Sequence, residues 1–221
     1  MNAIPLKASD VIARHDACLA RADWPQSDAA VREAGAEHEV GYWFTSNHRF
    51  NSQLWAEEDL ARRTQVNGDE IAKNKRAIDG FNQARNDATE RVDELLLTAL
   101  GLVDPASARS DAPVSTVKPG ARLNSETAGS IIDRMSIMAL KIHAMTAQTL
   151  RQDVDEAHRS ASRVKLGRLQ QQRGDLGDCL DQLLADSLAG QAYFKVYRQF
   201  KMYNDARFNP ALVAERANAK R

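Results

Sequence analysis

The sequence predicts an all-α fold, a helical bundle of about five to six helices with two long helical hairpins. Three observations predict it. Strand signals are nearly absent: β-branched and aromatic residues seldom alternate with polar ones, while Ala, Leu, Arg, Gln and Glu, which favour helix, dominate. The six prolines leave two proline-free blocks, 26–104 and 120–209, and proline breaks helix interiors. Within both blocks apolar residues recur at helical spacing.

Ser9 can cap a first helix reaching about Arg21, with Val11, Ile12 and Leu19 inward. Ser46 or Asn47 opens a second, to about Arg63. Asn67-Gly68 makes a turn, and a long helix follows from Asp69 to Leu100, ended by Gly101. A proline-containing loop at 101–124 separates the two blocks. Ser125 caps the next helix, from Glu126 to about Asp153. It is apolar on nearly every side (Ile131, Ile132, Met135, Ile137, Met138, Leu140, Ile142, Met145), as a helix at the centre of a bundle must be. Another runs from Ala157 to Leu188, loosened at Gly174 and Gly177. Gly190 resets the chain before a final helix, Gln191 to Tyr203, whose Tyr193, Tyr197 and Phe200 would form a core stripe with a basic outer face. The organisation expected is an N-terminal helix and connection at 1–46, a single helical domain at 47–212 and a tail at 213–221.

Thirty Lys plus Arg balance thirty Asp plus Glu, so formal net charge is zero. That balance excludes bulk electrostatic binding of nucleic acid or anionic lipid. An apolar content of 43% excludes intrinsic disorder. Cys18 and Cys179 lie far apart with no His or Cys at metal-ligand spacing, which excludes a zinc site or a disulfide framework. Residues 1–14 carry Lys7, Asp10 and Arg14 and have no apolar core, so they are not read as a signal peptide. The most apolar stretch, 131–145, is interrupted by Asp133, Arg134 and Lys141 and is too short to span a bilayer. The expectation is a cytoplasmic protein with no membrane span, no nucleic-acid partner and no cofactor.

Several polar residues occupy positions that should be apolar. On the 69–100 helix, stepped at about 100° per residue, Ile71, Ile78, Phe81, Ala88, Val92, Leu95 and Leu96 form one face, and Arg85 falls near its middle. Asn82 and Thr89 lie at the edge, Asn86 and Asp93 just beyond, Asp79 and Glu90 further out. A guanidinium among apolar neighbours needs a carboxylate or a bound anion. On the next helix Glu126, Ser130, Asp133, Arg134 and Lys141 share one narrow stripe, broken only by Ile137. The two sets either form a core ion-pair network or face one cavity.

Paired acids on helices also raise the metal-dependent all-α nucleotide pyrophosphohydrolases, which hold Mg²⁺ between an ExxE and an ExxD. Glu90 and Asp93 have the ExxD form, but Glu57, Glu58 and Asp59 do not complete an ExxE. A hairpin turning near Val66 would also put the two groups more than about 20 Å apart. No metal site is therefore expected, and no phosphate-binding glycine loop, nucleophile elbow or zinc motif occurs.

Four motifs carry a resemblance: Leu54-Trp55-Ala56-Glu57-Glu58-Asp59; Lys75-Arg76-Ala77-Ile78-Asp79 with Asn82-Gln83-Ala84-Arg85-Asn86-Asp87; Asn124-Ser125-Glu126-Thr127 with Gly129-Ser130-Ile131-Ile132-Asp133-Arg134, Ser136-Ile137 and Leu140-Lys141-Ile142; and Phe200-Lys201-Met202-Tyr203-Asn204-Asp205 with Asn209-Pro210. Together they resemble the bacterial family catalogued as domain of unknown function 4254. Met135 and Met138 stand where that family would have leucine. The resemblance implies a helical protein, often encoded beside glycosyltransferases of surface-polysaccharide or lipopolysaccharide synthesis. It supplies no activity and no catalytic residue.

The expected function is therefore a polar pocket for a sugar-phosphate or nucleotide-sugar ligand. Arg85, Arg134 and Lys141 would meet the anion. Asp79, Asn82, Asn86, Asp93, Glu126, Ser130 and Asp133 would complete the binding set, some as acid or base. The alternative is a non-catalytic scaffold whose apolar surface binds a glycosyltransferase or a second copy of the chain as a homodimer. Twelve of the thirteen aromatics, Phe81 apart, cluster at 24–55 or 193–208, and exposed aromatics mark interfaces.

Overall fold

The computed structural model describes residues 5–200 and 206–219. Among them seven helices carry the fold: α1 (Ala8–Leu19), α2 (Ala29–Glu33), α3 (Val40–Ala61), α4 (Gly68–Leu100), α5 (Ala128–Leu150), α6 (Glu156–Ala189) and α7 (Pro210–Ala219). The two expected hairpins are α3–α4 and α5–α6, folded back through the short connections 62–67 and 151–155. None of these helices is long and apolar enough to cross a membrane.

The helix ends follow their caps. Asn67 opens α4 by accepting the Glu70 N–H at 2.9 Å, and Gly101 closes it at φ 69°, a left-handed conformation that glycine adopts freely. Asp155 opens α6 by accepting the His158 N–H at 2.8 Å. Thr127, not Ser125, opens α5, accepting the Ser130 N–H at 3.1 Å. α3 begins at Val40, ahead of the expected Ser46 or Asn47, and its N-cap Glu39 makes no side-chain capping bond there. That carboxylate accepts the Ala36 N–H at 2.7 Å instead.

One core runs through the hairpins and α1. Val11, Phe44, Val92, Leu96, Leu97, Ile132, Met135, Leu180 and Leu184 are all buried in it. α4 and α5 approach closely at Gly129. A Cβ there would lie 2.6 Å from the Thr89 carbonyl oxygen and 2.9 Å from Asp93 Oδ1. The backbone oxygen cannot swing aside, so Gly129→Ala is expected to cost about 1–3 kcal/mol by overpacking. Chemical denaturation of the variant checks this; an unchanged midpoint would show that the helices can part at no cost.

The expected helix from Gln191 to Tyr203 is corrected over its described part. Ala192–Tyr193 is a short strand, β2, paired in parallel with β1 (Arg122–Leu123). Arg122 N–H donates to Gln191 O at 2.9 Å and Asn124 N–H to Tyr193 O at 2.7 Å. Residues 194–200 continue without helix. Burial alternates: Ala192, Phe194 and Val196 are buried, whereas Tyr197 is 49% and Phe200 73% exposed. The expected aromatic core stripe is thus replaced by a period of two. Lys201 and Tyr203, with the rest of the motif at 201–205, lie outside the described residues.

Arg198 anchors this segment. Its Nη1 donates to Glu90 Oε2 at 2.9 Å and Glu94 Oε1 at 2.5 Å, and Nε and Nη2 donate to the carbonyls of Ser110 and Ala108, each at 3.0 Å. One guanidinium therefore ties α4, the 101–124 loop and the C-terminal segment together, with its charge compensated where it is buried.

Candidate functional site

α3 turns a polar face inward. Thr45, Ser46, Asn47, His48, Asn51 and Ser52 are all buried, so each needs a partner. Asn47 Nδ2 donates to Thr89 Oγ1 of α4 at 3.1 Å and to Asp133 Oδ1 of α5 at 2.8 Å. One turn on, Asn51 Nδ2 donates to the same Asp133 oxygen at 2.8 Å and to Ser136 Oγ at 3.0 Å. The Ser136 hydroxyl lies 2.8 Å from His48 Nδ1.

His48 is also stacked on both faces. Its ring centroid lies 4.3 Å from that of His15 on α1 and 5.3 Å from that of Trp24. Trp24 Nε1 donates to Ser52 Oγ at 2.9 Å. Burial drives both histidines to the neutral form: His48 falls from 6.5 to about 3, and His15 falls well below 6.5, helped by His48 and Arg173.

Arg85 of α4 points at this network without closing it. Its Nε stands 4.0 Å from Asp133 Oδ1, beyond hydrogen-bonding reach. That Nε is buried and finds no hydrogen-bond partner among the described residues. Nη2 donates to Asn86 Oδ1 at 3.1 Å, and Asn86 Nδ2 in turn donates to Gln199 Oε1 at 2.7 Å. The Asp133 oxygen nearest Arg85 is already taken by two amides, so the guanidinium, with five donors, is left underused. It is 26% exposed and lines an open cleft of 340 Å³. α3 supplies Asn51, Leu54, Trp55, Glu58 and Asp59 to the cleft and its C-cap Arg62, α4 Asn82 and Arg85, and α5 Ile137 and Leu140. Glu58 pairs with Arg62 at 2.9 Å. The cleft therefore offers an indole face, two guanidinium groups, two carboxylates and two amides, a set suited to a ligand with an anionic group and many hydroxyls.

The other residues singled out in the sequence are dispersed. Asp93 is buried beneath the start of α5, accepting the Gly129 N–H at 2.7 Å, and burial pushes its carboxyl from 3.8 up to about 7, against the hydrogen bonds of Thr127 and Gly129. Ser130 belongs to the cap of α5, its hydroxyl 2.9 Å from Thr127 Oγ1. Glu126 and Arg134 pair with each other at 2.6 Å on the surface. Asp79 pairs with Lys75 at 2.9 Å on the exposed side of α4. Lys141 is exposed and lines a second groove, past Trp55. The expectation that all ten face one cavity is thus corrected: Asn82 and Arg85 line the cleft, Asp133 and Asn86 contact Arg85, and the rest lie elsewhere.

Among the described residues no three His, Cys, Asp or Glu side chains are placed to hold a metal ion. Glu90, half of the ExxD pair, is bonded to Arg198, and Glu57 accepts from Asn74 at 2.6 Å. The acids therefore do not fit the pyrophosphohydrolase arrangement. A family model described as protein of unknown function (DUF4254) matches residues 41–196, a span that contains every residue of the cleft. No curated protein and no solved structure matches the chain.

Proposed function

We propose a function from the premise that the chain belongs to the DUF4254 family of proteins of unknown function. The cleft between α3, α4 and α5 binds a sugar-phosphate or nucleotide-sugar ligand, in the cytoplasm, in the synthesis of bacterial surface polysaccharide or lipopolysaccharide. The observation that carries this reading is Arg85: a mostly buried guanidinium at the cleft wall whose Nε has no partner among the described residues and whose nearest carboxylate is occupied by Asn47 and Asn51. An anion in the cleft would complete its hydrogen bonds, with Arg62 as second cation. Trp55, 37% exposed, offers its ring face to the apolar side of a sugar. Glu58, Asp59 and Asn82 are the groups for hydroxyls.

A thermal-shift panel of hexose phosphates and nucleotide sugars tests it. A ligand that binds only the native state raises the melting temperature, by the equivalent of about 2.7 kcal/mol at a hundred times its Kd. Arg85→Met keeps an apolar stem against the helix and removes the donors. It is expected to melt near the wild-type temperature and to weaken the best ligand by about 10–150-fold, the loss of one charged hydrogen-bonding site. No shift with any member of the panel, or an equal shift in the variant, would contradict the reading.

The scaffold alternative draws on a different observation, the exposure of Tyr197, Phe200 and Phe208 near the C-terminus. In that role the aromatics bind a glycosyltransferase, and Tyr197→Ser with Phe200→Ser would abolish co-purification while Arg85→Met would leave it intact. Co-purification that survives the aromatic pair would remove this alternative.

A further inference from the structure

A second groove, also of 340 Å³, adjoins the Arg85 cleft, and Trp55 lines both. Its floor is Ala144 and Met145 of α5 with Leu169 of α6, and Lys141, Lys165 and Gln148 complete it. Lys141, Ala144, Met145 and Gln148 fall at i, i+3, i+4 and i+7, one stripe of α5, and Lys165 and Leu169 are one turn apart on α6. The two lysines are exposed, so their methylene stems can cover the groove while the ammonium groups stand at its mouth. Leu140, the neighbour of Lys141, already lines the first cleft. A polar, arginine-bearing cleft therefore passes over one indole into an apolar groove edged by positive charge.

From this continuity we infer that the ligand is amphiphilic: a phosphate ester of a long-chain alcohol, its phosphorylated head in the Arg85 cleft and its hydrocarbon chain across Trp55 in the Met145–Leu169 groove. The inference rests on the reading of the cleft given above and extends it to the class of ligand. A nucleobase fits the groove poorly, because Gln148 is the one uncharged polar side chain lining it and a base needs several directed hydrogen bonds. A hydrocarbon needs none, and the lysines complement the anion it carries.

Calorimetric titration of the full chain with ethyl phosphate and with decyl phosphate, below its micelle concentration, tests the inference. Decyl phosphate is expected to bind at least about tenfold tighter. Met145→Glu is expected to abolish the difference, as is the milder Leu169→Asn should the first variant melt early. Arg85→Met is expected to weaken both probes. Equal affinity of the two probes, or no binding of either, overturns the inference, as does a chain preference that survives both groove variants. A decyl phosphate affinity unchanged by Arg85→Met also overturns it, since the groove would then take hydrocarbon without a head in the cleft. If instead sedimentation shows a dimer that Met145→Glu dissociates, the groove is an interface between two copies and the inference fails. The chainless sugar phosphates of the thermal-shift panel report on the cleft alone, so their failure and that of the groove are separable.

Discussion

Acidification is expected to destabilise the protein steeply below pH 6.5, well before its surface carboxylates are neutralised. His15 and His48 are stacked, buried and neutral in the fold, with His48 held at about 3. In the unfolded chain both take up a proton near the ordinary value of 6.5. The folded state therefore binds fewer protons between about 3 and 6.5, and the stability it holds above 6.5 drains away as pH falls through that window. For His48 alone the loss is on the order of 3–5 kcal/mol. Asp93 acts in the opposite sense. Its folded carboxyl titrates at about 7 against 3.8 unfolded, so it contributes stability at low pH that is lost as pH rises through 7. Two histidines against one aspartate make the acid limb prevail. Melting curves from pH 7 to 4 check this: His15→Phe should flatten the acid limb, and Asp93→Asn, which keeps an acceptor for Gly129 N–H but removes the opposing titration, should steepen it. A melting temperature independent of pH across the window would show that the stack is hydrated or already charged.

Phe194→Ala is expected to cost about 3–5 kcal/mol, the usual loss for a large aromatic removed from a closed core. Phe194 is 1% exposed and belongs to the main core, in a segment otherwise held by a two-residue strand pair and by the polar contacts of Arg198 and Gln199. Its side chain is thus the main apolar attachment of residues 192–200 to the bundle. Tyr197→Ala, three residues on and 49% exposed, should change stability by no more than about 0.5 kcal/mol. Urea denaturation of the pair measures the contrast. Equal losses would mean that the segment is helical and packs its tyrosines after all.

The same contrast shows where the sequence misleads. Tyr193, Tyr197 and Phe200 recur at helical spacing, but Ala192, Phe194 and Val196 alternate with Tyr193, Lys195 and Tyr197, a strand pattern equally present in the letters. What decides between them is the pairing with Arg122–Leu123, some seventy residues earlier, which no local pattern reveals. α4 was legible at both ends because Asn67 and Gly101 are strong local signals, whereas the start of α3 was not, because Glu39 does not cap it. Arg85 at the cleft wall and Asp133 beside it were legible because each interrupts an apolar surface. Stepping around a helix fixes an angle and nothing along the axis. Lys141 shares the stripe of Asp133 but lies eight residues on, about 12 Å at 1.5 Å per residue, which carries it past Trp55 into the second groove. Asn47 and Asn51 were missed because α3 has no clean apolar face: its inward side is itself polar. A helix whose buried side must be Asn, His and Ser is the mark of a shared hydrogen-bond network, legible only once the helix is placed against α4 and α5.

The most direct test is a crystal structure of the protein soaked with whichever sugar phosphate raises its melting temperature most. The account predicts a phosphate oxygen about 2.7–3.2 Å from the Arg85 guanidinium, with the sugar against Trp55 and Asp133 still held by Asn47 and Asn51. A ligand bound away from this cleft, or an Arg85 that closes onto Asp133 and leaves the phosphate to other residues, would contradict it.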